Sequence, residues 1–269
     1  MVPKLIYGTA WKEAETERLV GLALRCGFRA IDTANQRKHY FEAGVGAALA
    51  RAYAEGVVKR EDLFLQTKFT DIGGQDQRLP YDPKADVATQ VRQSFASSLE
   101  HLGTTYLDTY VLHGPSTRYG FGEKDRRIWG AMEGLAKEGK ARALGVSNVG
   151  LDQVEELCRS ASIRPAFVQN RCFARDGWDE DVRAYCKENG IVYQGFSLLT
   201  ANPQVVGHPE LARLAAARRQ TPAQLVFAYT VQLGILPLTG TTDEVHMRED
   251  LEAVGLELSA EECRAIERL

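Results

Sequence analysis

The stretch GFRAIDTANQRKHYFEAGVG, residues 27–46, holds the key to the fold. Its residues Phe28 to Ile31 read as a strand that runs directly into a carboxylate, Asp32, and then into a basic loop carrying His39 and Tyr40. A buried strand that ends on a charge must open onto a site or onto water, and the same pattern recurs along the chain. Strand candidates are Leu5–Ala10, Phe28–Ala34, Leu63–Phe69, Thr109–His113, Ala141–Ser147, Pro165–Asn170, Ile191–Ser197 and Ile235–Thr239. Amphipathic helical stretches alternate with them, among them Glu13–Cys26, Lys84–Leu102, Leu151–Ala161, Asp179–Asn189 and Pro222–Leu233. Capping chemistry marks helix starts, as at Thr241-x-x-Glu244, and glycines mark stops, as at Gly139, Gly190 and Gly234. Strict β–α alternation requires a parallel sheet. Eight such units in 269 residues imply a closed (β/α)8 TIM barrel of the α/β class, a single domain over residues 1–269.

Composition narrows the range of functions. A chain that is 44% hydrophobic and 26% charged, with a formal charge of −3, gives no reason to expect nucleic acid as a partner. The five cysteines are odd in number and form no Cys-x-x-Cys pair, so they read as reduced core thiols of a cytoplasmic protein. No run approaches membrane-spanning length, and none at the N-terminus reads as a signal peptide. A monomer acting on a small molecule is the expectation.

In a barrel the C-terminal strand ends converge on one mouth, so polar residues there are the first candidates for chemistry. Asp32 ends the second strand candidate, Lys68 the third and His113 the fourth; Ser147 and Asn148 follow the fifth, and Gln169 and Asn170 the sixth. Any one of these alone reads better as a satisfied structural group. Asp, Lys and His on three successive strands are harder to dismiss, since a half-buried ammonium and carboxylate must pair and perturb their neighbours. Tyr40, on the loop after the second strand, can reach back over them. The expectation is that Lys68, held charged by Asp32, lowers the phenol's pKa and makes Tyr40 a general acid, with a His113 N–H aimed at the same oxygen.

The segments GTAWK, GFRAIDTA, FLQTKF, LDTYVLHGP, MEGLAKEGKARALGVSN and TPAQLVFAYTVQLGILPLTGTT, in this order, resemble the aldo-keto reductase family over nearly the whole chain. The resemblance implies a barrel that binds a nicotinamide cofactor without a Rossmann fold, and an Asp–Tyr–Lys–His tetrad. Asp32, Lys68 and His113 match that pattern directly. The family usually places its tyrosine five residues after the aspartate, where this chain has Arg37; a variant with two inserted residues matches Lys38-His39-Tyr40-Phe41-Glu42, with Phe41 in place of asparagine. Tyr40 is the favoured acid, His39 the fallback and a plain loop aromatic the alternative to both.

The resemblance also implies cofactor contacts. Ser147, Asn148 and Gln169 match residues that hold the nicotinamide carboxamide, and Phe196 falls where an aromatic, usually tyrosine, stacks on the ring; Thr9, Ala10, Asp32, Ser197 and Leu199 complete that side. Thr239, Gly240, Thr241 and Thr242 lead into a helix N-terminus suited to phosphates. The usual 2′-phosphate lysine is replaced by Leu238, and the arginine slot by His246 with Arg248 nearby, so Thr239, Thr241, His246 and Arg248 become the candidate readers. NADP(H) is favoured and NAD(H) is the alternative. Trp11, Phe41, His113 and Tyr119 are candidate substrate residues for a small carbonyl compound, and Gly114 widens the pocket where many relatives carry tryptophan.

Other motifs carry less. GLAKEGKA lacks the Ser/Thr of a phosphate-binding loop, and GVGAAL lacks both a third glycine and a strand immediately before it. GVSNVG is a nucleophile elbow one residue out of register. A metal held by Asp32 and His113 would be repelled by Lys68. The enzyme reading is a carbonyl reductase; the rival is a cofactor-binding redox sensor with little turnover.

Overall fold

The computed structural model describes residues 3–269. Eight parallel strands close in sequence order: β1 (Ile6–Gly8), β2 (Ala30–Asp32), β3 (Phe64–Phe69), β4 (Leu107–Leu112), β5 (Ala141–Ser147), β6 (Phe167–Arg171), β7 (Val192–Phe196) and β8 (Leu236–Thr239), with β8 returning to β1. β5 has the bounds read from the sequence and β4 starts two residues earlier and ends one earlier than its candidate, while the other six strands are shorter than theirs, most clearly β1 and β2. The ladder there pairs only Tyr7 with Ile31, Gly8 with Asp32, and Ala30 to Asp32 with Phe64 to Gln66, after which the chain turns out into loops.

Helices α1 (Thr16–Cys26), α2 (Glu42–Ala54), α3 (Val87–Leu102), α4 (Glu123–Lys137), α5 (Leu151–Ser160), α6 (Glu180–Glu188), α7 (Pro203–Val206), α8 (Pro209–Arg218), α9 (Pro222–Gln232), α10 (Glu244–Ala253) and α11 (Ala260–Glu267) surround the strands. One apolar cluster fills the space between strands and helices; it includes Leu19, Ile31, Val45, Leu65, Tyr110, Met132, Leu144, Val168 and Phe227. The start of α2 is specified by packing. A Cβ at Gly46 would lie 1.8 Å from the His101 carbonyl oxygen, so only glycine allows α2 to approach α3 so closely. Glu42, buried at the first turn of α2, accepts from Thr67 (2.5 Å) and Ser98 (3.1 Å) and lies 3.2 Å from His101 Nδ1, tying α2 to β3 and α3.

Period-two alternation divides the barrel interior into layers. Ile6, Ala30, Leu236 and Leu238 form a separate apolar cluster with Phe64, Val192 and Phe196 packed on it, and Phe64 meets Phe167 edge to face at 5.5 Å. Two residues beyond Ala30, Phe64, Phe167 and Val192, the side chains of Asp32, Gln66, Gln169 and Gln194 make a buried polar layer. Lys68, His113 and Ser147 follow at the mouth. No helix among the described residues is long and apolar enough to cross a membrane, and all five cysteines are free thiols.

Candidate active site

Asp32 and Lys68 form a closed pair. Lys68 Nζ donates to both carboxylate oxygens at 2.6 Å and to the Thr33 carbonyl at 2.9 Å, with both side chains buried. The barrel brings them together because β2 and β3 pair Asp32 with Gln66, placing Lys68 one inward position nearer the mouth. Beneath the pair, Gln66 Nε2 donates to Asp32 Oδ1 at 2.7 Å and Gln169 Nε2 to the same oxygen at 3.1 Å. Gln66 and Gln194 exchange reciprocal amide bonds at 3.0 and 3.1 Å across the barrel, and Gln169 Nε2 also reaches Gln194 Oε1 at 2.9 Å. Sequence reading missed Gln66 and Gln194. The available signal was an uncharged polar residue at an inward position of an otherwise apolar strand.

One tight turn carries the chain between Asp32 and Glu42. His39 and Tyr40 both donate backbone N–H bonds to the Gln36 carbonyl, at 3.1 and 3.0 Å, while Gln36 Nε2 is anchored to the Gly74 carbonyl at 2.6 Å. The turn swings Tyr40 over the mouth. Its ring centroid lies 5.3 Å from Lys68 Nζ and 5.9 Å from the His113 ring, edge to face at 71°. His39 takes a different direction and stacks on Trp11 at 3.9 Å, with its backbone carbonyl accepting from the Trp11 N–H. Tyr40, and not His39, therefore sits with Asp32, Lys68 and His113.

One expectation is corrected. Lys68 does not lower the pKa of Tyr40: burial pushes the phenol upward, and the Asp32 carboxylate pushes it the same way. The reason is that Lys68 is already neutralised by Asp32 at 2.6 Å, leaving a compact ion pair with little net field to offset the lost hydration of a phenolate. Burial also pushes Lys68 downward, opposed by Asp32. His113 falls to about 3 through burial, then the charges of Lys68 and His39, so its imidazole is neutral. His113 Nδ1 lies 2.6 Å from Thr70 Oγ1.

On the opposite wall, Ser147 Oγ donates to the Gln169 carbonyl (2.6 Å), and Asn148 Nδ2 donates to the His113 carbonyl (2.8 Å) and to Ser147 Oγ (3.1 Å). These bonds leave Asn148 Oδ1 and Gln169 Oε1 without protein donors among the described residues. Asn148 and Ser197 sit just past β5 and β7 with φ of 55° and 58°, strained for non-glycine residues. Phe196 ends β7, half-buried, with the Arg171 guanidinium 5.7 Å from its ring. Thr9 Oγ1 donates to the Asp32 carbonyl at 3.0 Å; Ala10 and Leu199 are half-buried at the ends of the β1 and β7 loops.

Past β8, the candidates separate. The Thr239 hydroxyl is buried and donates to Asp250 at 2.7 Å, so it is committed inward instead of facing a ligand; burial lifts the Asp250 carboxyl to about 6. The Thr241 carbonyl accepts from Tyr7 Oη (2.9 Å). His246 is exposed on the first turn of α10, and Arg248 pairs with Glu244 at 2.7 Å. A cation that the sequence reading quoted but did not assign lies here: Lys12 Nζ donates to the Gly240 carbonyl at 2.7 Å, and burial lowers its pKa to about 8. Trp11 and Tyr119 stand on the rim, 70% and 74% exposed. Phe41 shows no ring contact with Lys68 or His113 among the described residues. It packs under the Arg37 guanidinium at 4.1 Å and lines a cleft with Tyr40, Glu42 and His101.

The mouth thus holds a phenol, a neutral imidazole and a closed ion pair beside two free amide acceptors. A nicotinamide carboxamide supplies the N–H donors those acceptors lack, so the donor set fits a nicotinamide cofactor. Comparison with known proteins agrees. Residues 4–202 match the model of the aldo/keto reductase family. The chain is 31% identical over 258 residues to the uncharacterized oxidoreductase YtbE of Bacillus subtilis, covering 95% of this chain and 84% of that one. It is also 31% identical over 255 residues to a glyoxal reductase of the same organism, covering 95% and 83%. Among solved structures, a Bombyx mori aldo-keto reductase in complex with NADP superposes with a TM-score of 0.80 at 25% identity, over 99% of this chain and 89% of that chain. From the barrel, the mouth chemistry and these similarities together, the chain belongs to the aldo/keto reductase family and is an NAD(P)H-dependent reductase of aldehydes or ketones.

Proposed function

We propose that Tyr40 is the general acid of this reductase, donating its proton to the substrate oxygen, and that Asp32, Lys68 and His113 complete the tetrad. The observation that carries the reading is the position of the Tyr40 ring, within 6 Å of both Lys68 Nζ and the His113 ring, while His39 is stacked on Trp11. Burial keeps the proton on the free phenol at every physiological pH, and the alkoxide that develops on the substrate, a stronger base than phenolate, takes it. The Lys68 ammonium, 5.3 Å from the Tyr40 ring and partly offset by Asp32, is the positive charge beside the phenolate that remains. His113, neutral, offers an N–H to the carbonyl and orients it.

The bound nicotinamide supplies the hydride. Ser147, Asn148 and Gln169 would hold its carboxamide, with Phe196, Ser197 and Thr9 around the ring. Lys12, Thr241, His246 and the N-terminus of α10 would hold the phosphates. NADPH is the favoured cofactor, in line with the Bombyx mori relative solved with NADP; Leu238, Asp243 and Glu244 leave NADH as the competitor. The substrate is a small carbonyl compound, and the chain works as a cytoplasmic monomer of one domain.

The test mixes the protein with NADPH or NADH and a panel of aldehydes and ketones, following nicotinamide absorbance. Carbonyl-dependent loss of absorbance supports the reading. Cofactor binding with no turnover on any carbonyl would replace it with that of a redox sensor.

A further inference from the structure

Within the carbonyl-reductase reading of the mouth, we infer that Thr70 is a positioning residue: its hydroxyl donates to His113 Nδ1 and so fixes the imidazole proton on Nε2, the nitrogen left to meet the substrate oxygen. Thr70 follows β3 and is buried, with Oγ1 2.6 Å from His113 Nδ1. Oγ1 makes no other hydrogen bond among the described residues. A hydroxyl has one proton to give, and this one has a single acceptor within reach.

The two neutral forms of His113 therefore differ in energy. If Nδ1 carried the proton, Thr70 would have to accept, and its own proton would be stranded away from water. If Nε2 carries it, Thr70 donates and both groups are satisfied. A stranded buried donor disfavours the first form by roughly tenfold or more in population. With Nδ1 facing Thr70, Nε2 is on the opposite ring edge, where no atom of the described residues accepts from it.

The surroundings hold Thr70 in the rotamer that makes this bond. A Cβ at Gly74 would meet Thr70 Cγ2 at 2.7 Å, so the methyl group fills space that only glycine leaves open. The Thr70 carbonyl accepts from Tyr81 Oη at 2.9 Å and from Gln75 Nε2 at 3.3 Å, which pins the backbone from the loop after β3. The His113 N–H donates to the Phe69 carbonyl at 2.9 Å, fixing the other side of the pair. Each side of the bond is thus clamped independently.

The experiment is nitrogen NMR of the histidine rings in the ¹⁵N-labelled full-length protein, with His113→Gln used to assign the signal, alongside steady-state kinetics on a carbonyl found in the panel. In the unmodified protein the expected pattern is a protonated Nε2 and an unprotonated Nδ1. Thr70→Val, nearly isosteric, should populate both forms and lower kcat about tenfold. Thr70→Ser should restore the pattern and most of the rate. A proton on Nδ1 in the unmodified protein would overturn the inference. So would a Thr70→Val variant that keeps the Nε2–H pattern, whatever its rate. The ring-proton readout needs no turnover, so a chain that reduced nothing would sink the reductase reading and leave this measurement decisive.

Discussion

Replacing Lys68 with methionine should cost both stability and activity, and the geometry sets the size of the first. Methionine fills most of the lysine volume, so the change removes a charge and leaves little void. Lost are the bonds to both oxygens of Asp32 at 2.6 Å and to the Thr33 carbonyl at 2.9 Å, in a place where the lysine side chain is 1% exposed. Removing one partner of a buried ion pair costs about 3–5 kcal/mol, because the other charge is left without compensation. Asp32 keeps the Gln66 and Gln169 amides on Oδ1, so the lower end, about 3 kcal/mol, is expected. At 2–4 °C per kcal/mol for a chain near this size, the melting temperature should fall by roughly 6–12 °C. Thermal unfolding followed by circular dichroism measures this. The double variant Asp32→Asn/Lys68→Met, with no charge left, should recover most of the loss in stability and none of the activity. A single variant that melts within about 2 °C of the parent would refute the claim that Asp32 depends on Lys68.

Two further outcomes follow from the structure. Lys12, with its pKa lowered to about 8 and its ammonium against Gly240, is charged below that pH and neutral above it. A bound phosphate favours the charged form, so cofactor affinity should be flat below about pH 8 and weaken above it, by up to tenfold per pH unit; fluorescence titration should show that limb vanish in Lys12→Met. Gln66→Leu strands the Gln194 NH2, removes one amide donor to Asp32 and should destabilise by about 1–3 kcal/mol, whereas Gln66→Leu/Gln194→Leu, which also removes the stranded NH2, should be the more stable of the two in urea unfolding.

The barrel was legible because its signals are local and repeated: short apolar strands, capped helices and polar residues at strand ends. Asp32, Lys68 and His113 could be placed together from topology alone, since neighbouring parallel strands bring equivalent positions to one mouth. Helix α2 was less legible, and Gly46 explains why: packing against His101 demands a residue that weakens the helical pattern. Thr239 read as a ligand contact because its position is right, but only coordinates show its hydroxyl committed to Asp250. The direction of the Tyr40 pKa shift was beyond the sequence for a related reason. It depends on how tightly Asp32 closes on Lys68 and on how much water the turn at Gln36 excludes, both properties of the packed mouth. Gln66, Gln194 and Thr70 carry no motif, and their importance comes from what they touch.

The most direct measurement compares Tyr40→Phe with His39→Gln in single-turnover reduction of a carbonyl, with cofactor affinity measured in parallel. Removing the phenolic proton should slow reduction by about 10²–10⁴-fold with cofactor binding unchanged, while the histidine change should leave the rate within a few-fold. A Tyr40→Phe protein that reduces at the parent rate, or a His39→Gln protein that does not reduce at all, would contradict the assignment of residue 40 as the proton donor.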